Sequence, residues 1–339
     1  MQVTTVGLNL AKTIFQVHGV TETGEVAFNR PLRQAQVLAF FQRLSPCLVG
    51  IEAFASSHHW ARDLSQLGHT VRLMPPMYVK PYVKRGESDA VDAEAICEAV
   101  TRPTMRFVEI KSEEQQALLS LHRARDFIVR QRTQLINMVR SLAAEFGITI
   151  ARGVTRAIEF ARSIIDGKQP GLPDLAQDVL RVLSRQLMDL HNRLDWYEAM
   201  LRIQARLSRQ AQLLQTIPGV GPVTASAVAA TIGSGRQFKG GREFAAWLGL
   251  TPRNHSSGGK ERLGKITKMG DRYLRQLIVV GMTSRVRQVA THPERADPWL
   301  TKLLQRKPAR LATVAMANKT ARIMWAILTG SEPYKPHAV

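Results

Sequence analysis

This chain has little that would anchor it covalently or in a membrane. Cys47 and Cys97 are its only cysteines in 339 residues. They are too few for a disulfide framework and lack metal-type spacing, which suits a reducing compartment. No run approaches the roughly 18 apolar residues of a membrane helix, and the opening MQVTTVGLNLAK lacks the basic-then-apolar order of a secretory signal. The expectation is a soluble cytoplasmic protein with no membrane partner.

Acidic residues are also scarce. The 27 Asp and Glu face 47 Lys and Arg, a formal net charge of +20. The imbalance is uneven along the chain. Residues 1–105 hold 10 basic against 9 acidic side chains, residues 106–210 hold 17 against 12, and residues 211–339 hold 20 against 6. A polyanion bound along the last third accounts for this, and nucleic acid is the common one. The rival partner, an acidic membrane surface, lacks a basic amphipathic segment with an aromatic face. With 45% hydrophobic residues and 22% charged, the chain is neither disordered nor fibrous, and its length suits two or three domains.

Three regions differ in pattern. VTTVGLNL, TIFQVHGV and GEVAFNRP are β-rich and read as an antiparallel meander. RQAQVLAFFQRL then has helical spacing, CLVGIEA is a buried strand, SSHHWARDLSQLG is a capped helix, and TVRLMPP is a strand stopped by two prolines. The order βββαβαβ followed by a helix predicts a mixed sheet with helices packed on it. Further on, Leu180, Leu183, Leu187, Leu190, Leu194, Tyr197 and Leu201 alternate spacings of three and four, the seam of a coiled coil. Leu121, Ile128, Leu135 and Leu142 recur at sevens in an earlier helix. The two helices can pair within one chain or with a second copy, so a homo-oligomer, dimer or tetramer, is expected. From residue 211, LLQTIPGVGPVTASAVAATIG places Gly219 and Gly221 between two short helical patterns. This is a helix-hairpin-helix turn offering backbone N–H groups to phosphate, or an ordinary tight turn.

Two stretches carry chemistry. Asp89 and Asp92 open a helix one turn apart, which the helix dipole alone favours. Glu52 ends an apolar strand, where a charge is otherwise costly, and together the three can converge on a hard divalent cation. The second stretch is RNHSSGGKERLGK, residues 253–265, a serine and glycine pair inside basic sequence. It reads as a solvated linker, a phosphate-contacting loop or the seat of a nucleophile.

The order and spacing of these pieces resemble the DEDD-type insertion-sequence transposases, the insertion sequence 110 family of bridge-RNA-guided DNA recombinases. The resemblance covers essentially the whole chain. It implies an α/β, RuvC-like (RNase H-type) catalytic domain over 1–105, a helical coiled-coil oligomerisation region over 106–210, and a mostly α-helical C-terminal transposase domain over 211–339 with a helix-hairpin-helix element. Carried over by position, Glu52, Asp89 and Asp92 fall on the second to fourth acidic positions and Ser257 on the nucleophilic serine, with Ser256 its neighbour. The first acidic position, just before Ala11-Lys12 and Leu10, is Asn9. Asn9 keeps one carbonyl oxygen but removes a charge, which implies a chain that binds nucleic acid and cuts poorly. The implied cofactor is Mg2+, two ions, with Mn2+ able to substitute. The implied partners are double-stranded DNA, donor and target, and a structured guide RNA, in a nucleoid-associated protein of a prokaryotic cell. Gly219, Gly221, Arg253, Lys260, Arg262, Lys265, Lys268 and Arg272 are the expected nucleic-acid contacts. Two other readings stand beside this one: a RuvC-like nuclease or junction resolvase that uses water and does not need Ser257, and a catalytically dead nucleic-acid-binding protein.

Overall fold

A computed structural model describes residues 2–84, 86, 88–168, 171–255, 262–292 and 297–335. The chain divides into two compact units, residues 1–116 and 117–339. In the first, β1 (Val3–Asn9), β2 (Ile14–Thr21), β3 (Val26–Arg33), β4 (Leu48–Glu52) and β5 (Thr70–Met74) form one sheet in the order β3-β2-β1-β4-β5. The pairs β1–β2 and β2–β3 are antiparallel, while β1–β4 and β4–β5 are parallel. This is the mixed sheet that the strand and helix order predicts. Its helices are α1 (Val37–Gln42), α2 (Ser57–Gln66), the short α3 (Pro76–Val79) and α4 (Asp89–Val100).

Side chains alternate across a strand, and that alternation sorts β1 and β4. Val6, Leu8, Val49 and Ile51 are fully buried in one core with Val37 and Phe41 of α1 and Trp60, Ala61 and Leu64 of α2. The intervening Gly7 and Gly50 lie under α4. A Cβ on Gly7 would collide with the Ala93 carbonyl and the Cys97 nitrogen, and one on Gly50 would lie 2.8 Å from Val100 Cβ. Only glycine admits so close a helix. Two residues further along each strand, on the same face, stand Asn9 and Glu52.

One local expectation is corrected. The serine ahead of α2 does not cap it: Ser56 is left-handed at φ 65° and makes no side-chain cap bond. The hydroxyl of buried Ser57 instead donates to the Phe54 carbonyl at 2.8 Å, locking the β4–α2 turn.

The second unit takes most of α5 (Glu113–Ala144), which begins in the last residues of the first unit. It continues with α6 (Val154–Ile165), α7 (Asp174–Leu207), α8 (Arg209–Gln215), α9 (Pro222–Ile232) and α10 (Gly241–Trp247). After the hairpin of β6 (Pro252–Asn254) and β7 (Leu263–Ile266) come α11 (Arg272–Thr291), α12 (Pro298–Leu304) and α13 (Ala309–Gly330). The heptad seam is covered within the chain. Leu180 packs with Val139, Ala143, Phe160 and Ile164, Leu187 with Ile136, Ala157, Ile158 and Ala161, and Leu190 and Leu194 with Ile128. Helices α5 and α6 thus bury the stripe that periodicity left open to a second copy. A larger core joins α8 to α13 through Leu214, Val228, Phe244, Leu274, Met282, Ala317 and Met324. No helix among the described residues is long and apolar enough to cross a membrane.

Candidate active site at the strand ends

Two pairs of polar side chains lie where β1 and β4 end and α4 begins. The parallel register aligns Leu8 with Ile51, so Asn9 and Glu52 follow side by side. Helix α4 starts at Asp89 because Ser88 caps it, its hydroxyl accepting from the Val91 N–H at 3.4 Å. Asp89 and Asp92 therefore occupy its first turn, above the strand ends. Asn9 Nδ2 donates to Asp89 Oδ1 at 3.1 Å. Burial first, and the negative charge of Asp92 second, push the Glu52 carboxyl above its ordinary pKa. The four positions thus form two neighbouring pairs, one amide with carboxylate and one carboxyl with carboxylate.

Beside them opens a cleft of about 680 Å³ lined by Glu52, Asp92, Ile96, Met77, Val79, Val83, Lys80 and Lys84, among others. Lys84 reaches Glu94 of α4 at 2.6 Å. All the donors at the strand ends are oxygens from a carboxamide or carboxylates, the set a hard divalent cation takes, and the raised Glu52 carboxyl marks a like-charged pair that a cation would relieve. The donor chemistry therefore fits. The described residues do not, however, gather three His, Cys, Asp or Glu side chains as a metal cluster, and the Asn9 amide engages Asp89 where the resemblance implies a fourth carboxylate.

The histidines nearby serve the frame. His58 Nδ1 accepts from the Lys111 N–H at 3.1 Å, tying α2 to the segment before α5, and His59 lies 3.5 Å from Asp63 one turn on. Trp60 is buried edge-on against Phe15.

In the second unit, Ser256, Ser257, Gly258, Gly259 and Lys260 lie outside the described residues. The hairpin on either side of them is described. His255 N–H donates to the Arg262 carbonyl at 2.9 Å, and the His255 ring lies over Gly264. Arg253, Arg262, Lys265, Lys268 and Arg272 are all exposed on the hairpin and the approach to α11. Lys268 is left-handed at φ 56°, its N–H donating to the Gly249 carbonyl. The two glycines of the α8–α9 turn differ: Gly219, at φ 85°, is pressed against Arg285 and Met282 of α11, whereas Gly221 borders open space.

Gly7 and Gly50, the turn-locking Ser57 and the cap Ser88 were not singled out by sequence reasoning. The glycines carry a readable signal, since Gly7-Leu8-Asn9 and Gly50-Ile51-Glu52 repeat one two-residue offset from a side-chain-free position to a polar one. Ser88 stood immediately before the acidic pair, in the ordinary position of a cap.

Both regions of the chain, the sheet with its helices and the later helical part, resemble known proteins. A DEDD-type family profile described as "Transposase" matches residues 6–147, and one described as "Transposase IS116/IS110/IS902 family" matches residues 211–297. A probable family 20 transposase of Pseudomonas aeruginosa is 48% identical over 99% of this chain and 100% of its own length. A putative transposase of Sinorhizobium fredii is 44% identical over 98% of this chain and 86% of its own. The transposase for insertion sequence element IS1111A of Coxiella burnetii is 39% identical over 97% and 90%. The mixed α/β sheet followed by a mostly helical region fits a DEDD-domain transposase, a class whose substrate is DNA and whose chemistry depends on divalent metal. The chain belongs to the IS110 family of insertion-sequence transposases.

Proposed function

We propose that this chain is an RNA-guided DNA recombinase of a mobile element, acting as a homo-oligomer through a DEDD-type site and a phosphoserine intermediate on Ser257. The observation that carries the reading is the pairing of Asn9 with Asp89 and of Glu52 with Asp92 where β1 and β4 end and α4 begins. The strand order β3-β2-β1-β4-β5 with a helix across β1 and β4 supports the RuvC-like, RNase H-type description. The short α8 and α9 about Gly219 and Gly221 support the helix-hairpin-helix description.

In this reading Glu52, Asp89 and Asp92, with the Asn9 carbonyl oxygen, hold Mg2+, or Mn2+ in its place. When bound, the metal supplies charge stabilisation to the attacking and leaving oxygens of the phosphodiester. The Ser257 hydroxyl attacks phosphorus as one phosphorus–oxygen bond of the DNA backbone breaks, the leaving oxygen taking up a proton as the serine loses one. The resulting protein–DNA ester is later reversed when a DNA hydroxyl attacks the same phosphorus and serine leaves, reprotonated. Arg253, Lys260, Arg262, Lys265, Lys268 and Arg272 hold the flanking phosphates, and Gly221 leaves its backbone open to another. The guide is structured RNA, and the chemistry takes place on the nucleoid.

One observation favours a second reading, a chain that binds nucleic acid without cutting it. The Asn9 amide donates to Asp89 where a carboxylate would repel it, so position 9 brings one negative charge fewer to the strand ends. The experiment is a denaturing gel of the full chain with Mg2+, copurifying RNA and labelled duplex DNA. Asn9→Asp should raise a protein–DNA adduct that survives boiling, and Asn9→Asp with Ser257→Ala should lose it. Cleavage without an adduct and without Ser257 would identify a water-using nuclease. Inertness of Asn9→Asp would identify the binding-only protein.

A further inference from the structure

Phe54 lies two residues beyond Glu52 and is 71% exposed, the most exposed aromatic side chain among the described large hydrophobics. Exposed phenylalanines usually sit on loose loops, but this one does not. Its N–H donates to the Glu52 carbonyl at 2.9 Å, and its carbonyl accepts from both the N–H and the hydroxyl of buried Ser57. The preceding Ala53 N–H is tied to Met74 of β5 at 2.7 Å, and Ser56 is held left-handed where a non-glycine residue is strained. Four hydrogen bonds and one strained residue thus present an aromatic ring to solvent beside a carboxyl group. The turn fixes the backbone that carries the ring while leaving the ring itself largely exposed.

Met77, just after the neighbouring strand β5, is also exposed, at 53%. Met77 lines the cleft that holds Glu52 and Asp92, together with Lys80 and Lys84. Apolar surface beside lysines and carboxyl groups matches a strand of nucleic acid, whose bases offer flat apolar faces and whose phosphates take the lysines. Paired bases bury those faces against each other, so a ring available for stacking selects an unpaired base.

We propose that Phe54 is a stacking platform for an unpaired nucleobase of the strand entering the carboxylate end, with Met77 and Lys80 of the neighbouring cleft along the path of that strand. The assignment rests on the reading that nucleic acid enters at this end, and it adds that the strand is unpaired there. Phe54 is thus a binding residue that admits locally melted DNA.

The test uses the full chain with a labelled oligothymidylate carrying one 5-iodouracil, and a duplex of matched length. Long-wavelength irradiation should join the iodouracil to a ring it stacks on, and peptide mapping should place the adduct on Phe54. Phe54→Ala should weaken single-strand binding about fivefold or more with duplex affinity unchanged, and Phe54→Trp should restore it. Val26→Ala, another exposed apolar residue on β3, should change nothing. Equal single-strand binding by Phe54→Ala, equal losses on both probes, or an adduct mapped elsewhere would overturn the proposal while leaving the recombinase reading intact. A drop in particle mass on Phe54→Ala with unchanged single-strand binding would assign the ring to a contact between copies, and also overturn it. Failure of the unaltered chain to bind either probe would instead overturn the recombinase reading.

Discussion

The amide of Asn9 donates to the carboxylate of Asp89 across the end of the sheet, at 3.1 Å. This bond joins the last residue of β1 to the first of α4, and it replaces a repulsion with an attraction. A carboxylate in its place would hold the site open for a cation, whereas the amide closes it without one.

Asn9→Asp should therefore invert the metal response. In chelator the variant should unfold at lower temperature than the unaltered chain, by about 1 kcal/mol for the lost bond and more for the new repulsion. Added Mg2+ should recover the loss and leave the unaltered chain little changed. Thermal denaturation with and without chelator reads both, and equal Mg2+ responses would remove Asn9 from the metal site.

The frame makes a separate prediction. Gly7→Ala drives a methyl into the backbone of α4 at Ala93 and Cys97. The cost should be about 1–3 kcal/mol or more by urea unfolding, with displacement of the helix that carries Asp89 and Asp92. Gly221→Ala, where a Cβ meets nothing within 4 Å, should stay within about 0.5 kcal/mol.

His122 gives the second unit a pH dependence. It is buried between the Tyr273 and Ser226 hydroxyls, each at 3.1 Å, and burial lowers its pKa to about 4, with Arg125 adding to the shift. The folded state therefore favours the neutral ring. Above pH 6.5 neither state protonates it and stability is full. Between 6.5 and about 4 the unfolded chain takes up a proton that the folded chain refuses, so stability falls as pH falls, by about 3 kcal/mol in all. His122→Gln should flatten urea midpoints over that window, and an undiminished slope would place the dependence elsewhere.

The seam residues should report on folding before they report on assembly. Leu187→Ala removes a side chain enclosed by α5 and α6 and should cost about 2–5 kcal/mol. Light scattering that showed clean dissociation with unchanged unfolding would contradict the enclosure.

Nucleic-acid affinity should fall steeply with salt, because residues 211–339 hold 20 basic against 6 acidic side chains. A log–log slope near zero between about 50 and 200 mM salt would sink the phosphate-contact argument.

The sheet was legible because period-two runs and proline stops mark it, and the acidic positions because spacing and a family resemblance agree on them. Pairing was not legible. Nothing in the letters says that Asn9 meets Asp89 while Glu52 feels Asp92, since that depends on how far α4 descends, and the descent depends on two missing side chains at Gly7 and Gly50. The coiled-coil stripe failed differently. A heptad pattern states that a face is buried but not by whom, and α6, whose role the periodicity did not expose, supplies Ala157, Ile158 and Ala161 to cover Leu187. The β4–α2 turn escaped because a serine before a helix normally caps it, whereas Ser56 and Ser57 instead fix Phe54.

Because α4 is seated on the sheet through Ala93, Cys97 and Val100, the residues that hold the helix are different ones from the Asp89 and Asp92 of the proposed site. Selection for a foldable chain therefore does not police the acidic positions. Under the proposed reading, a change at position 9 would leave the sheet, the helix and the basic hairpin in place, so a mobile element built on this frame could carry copies that fold and bind DNA without cutting it.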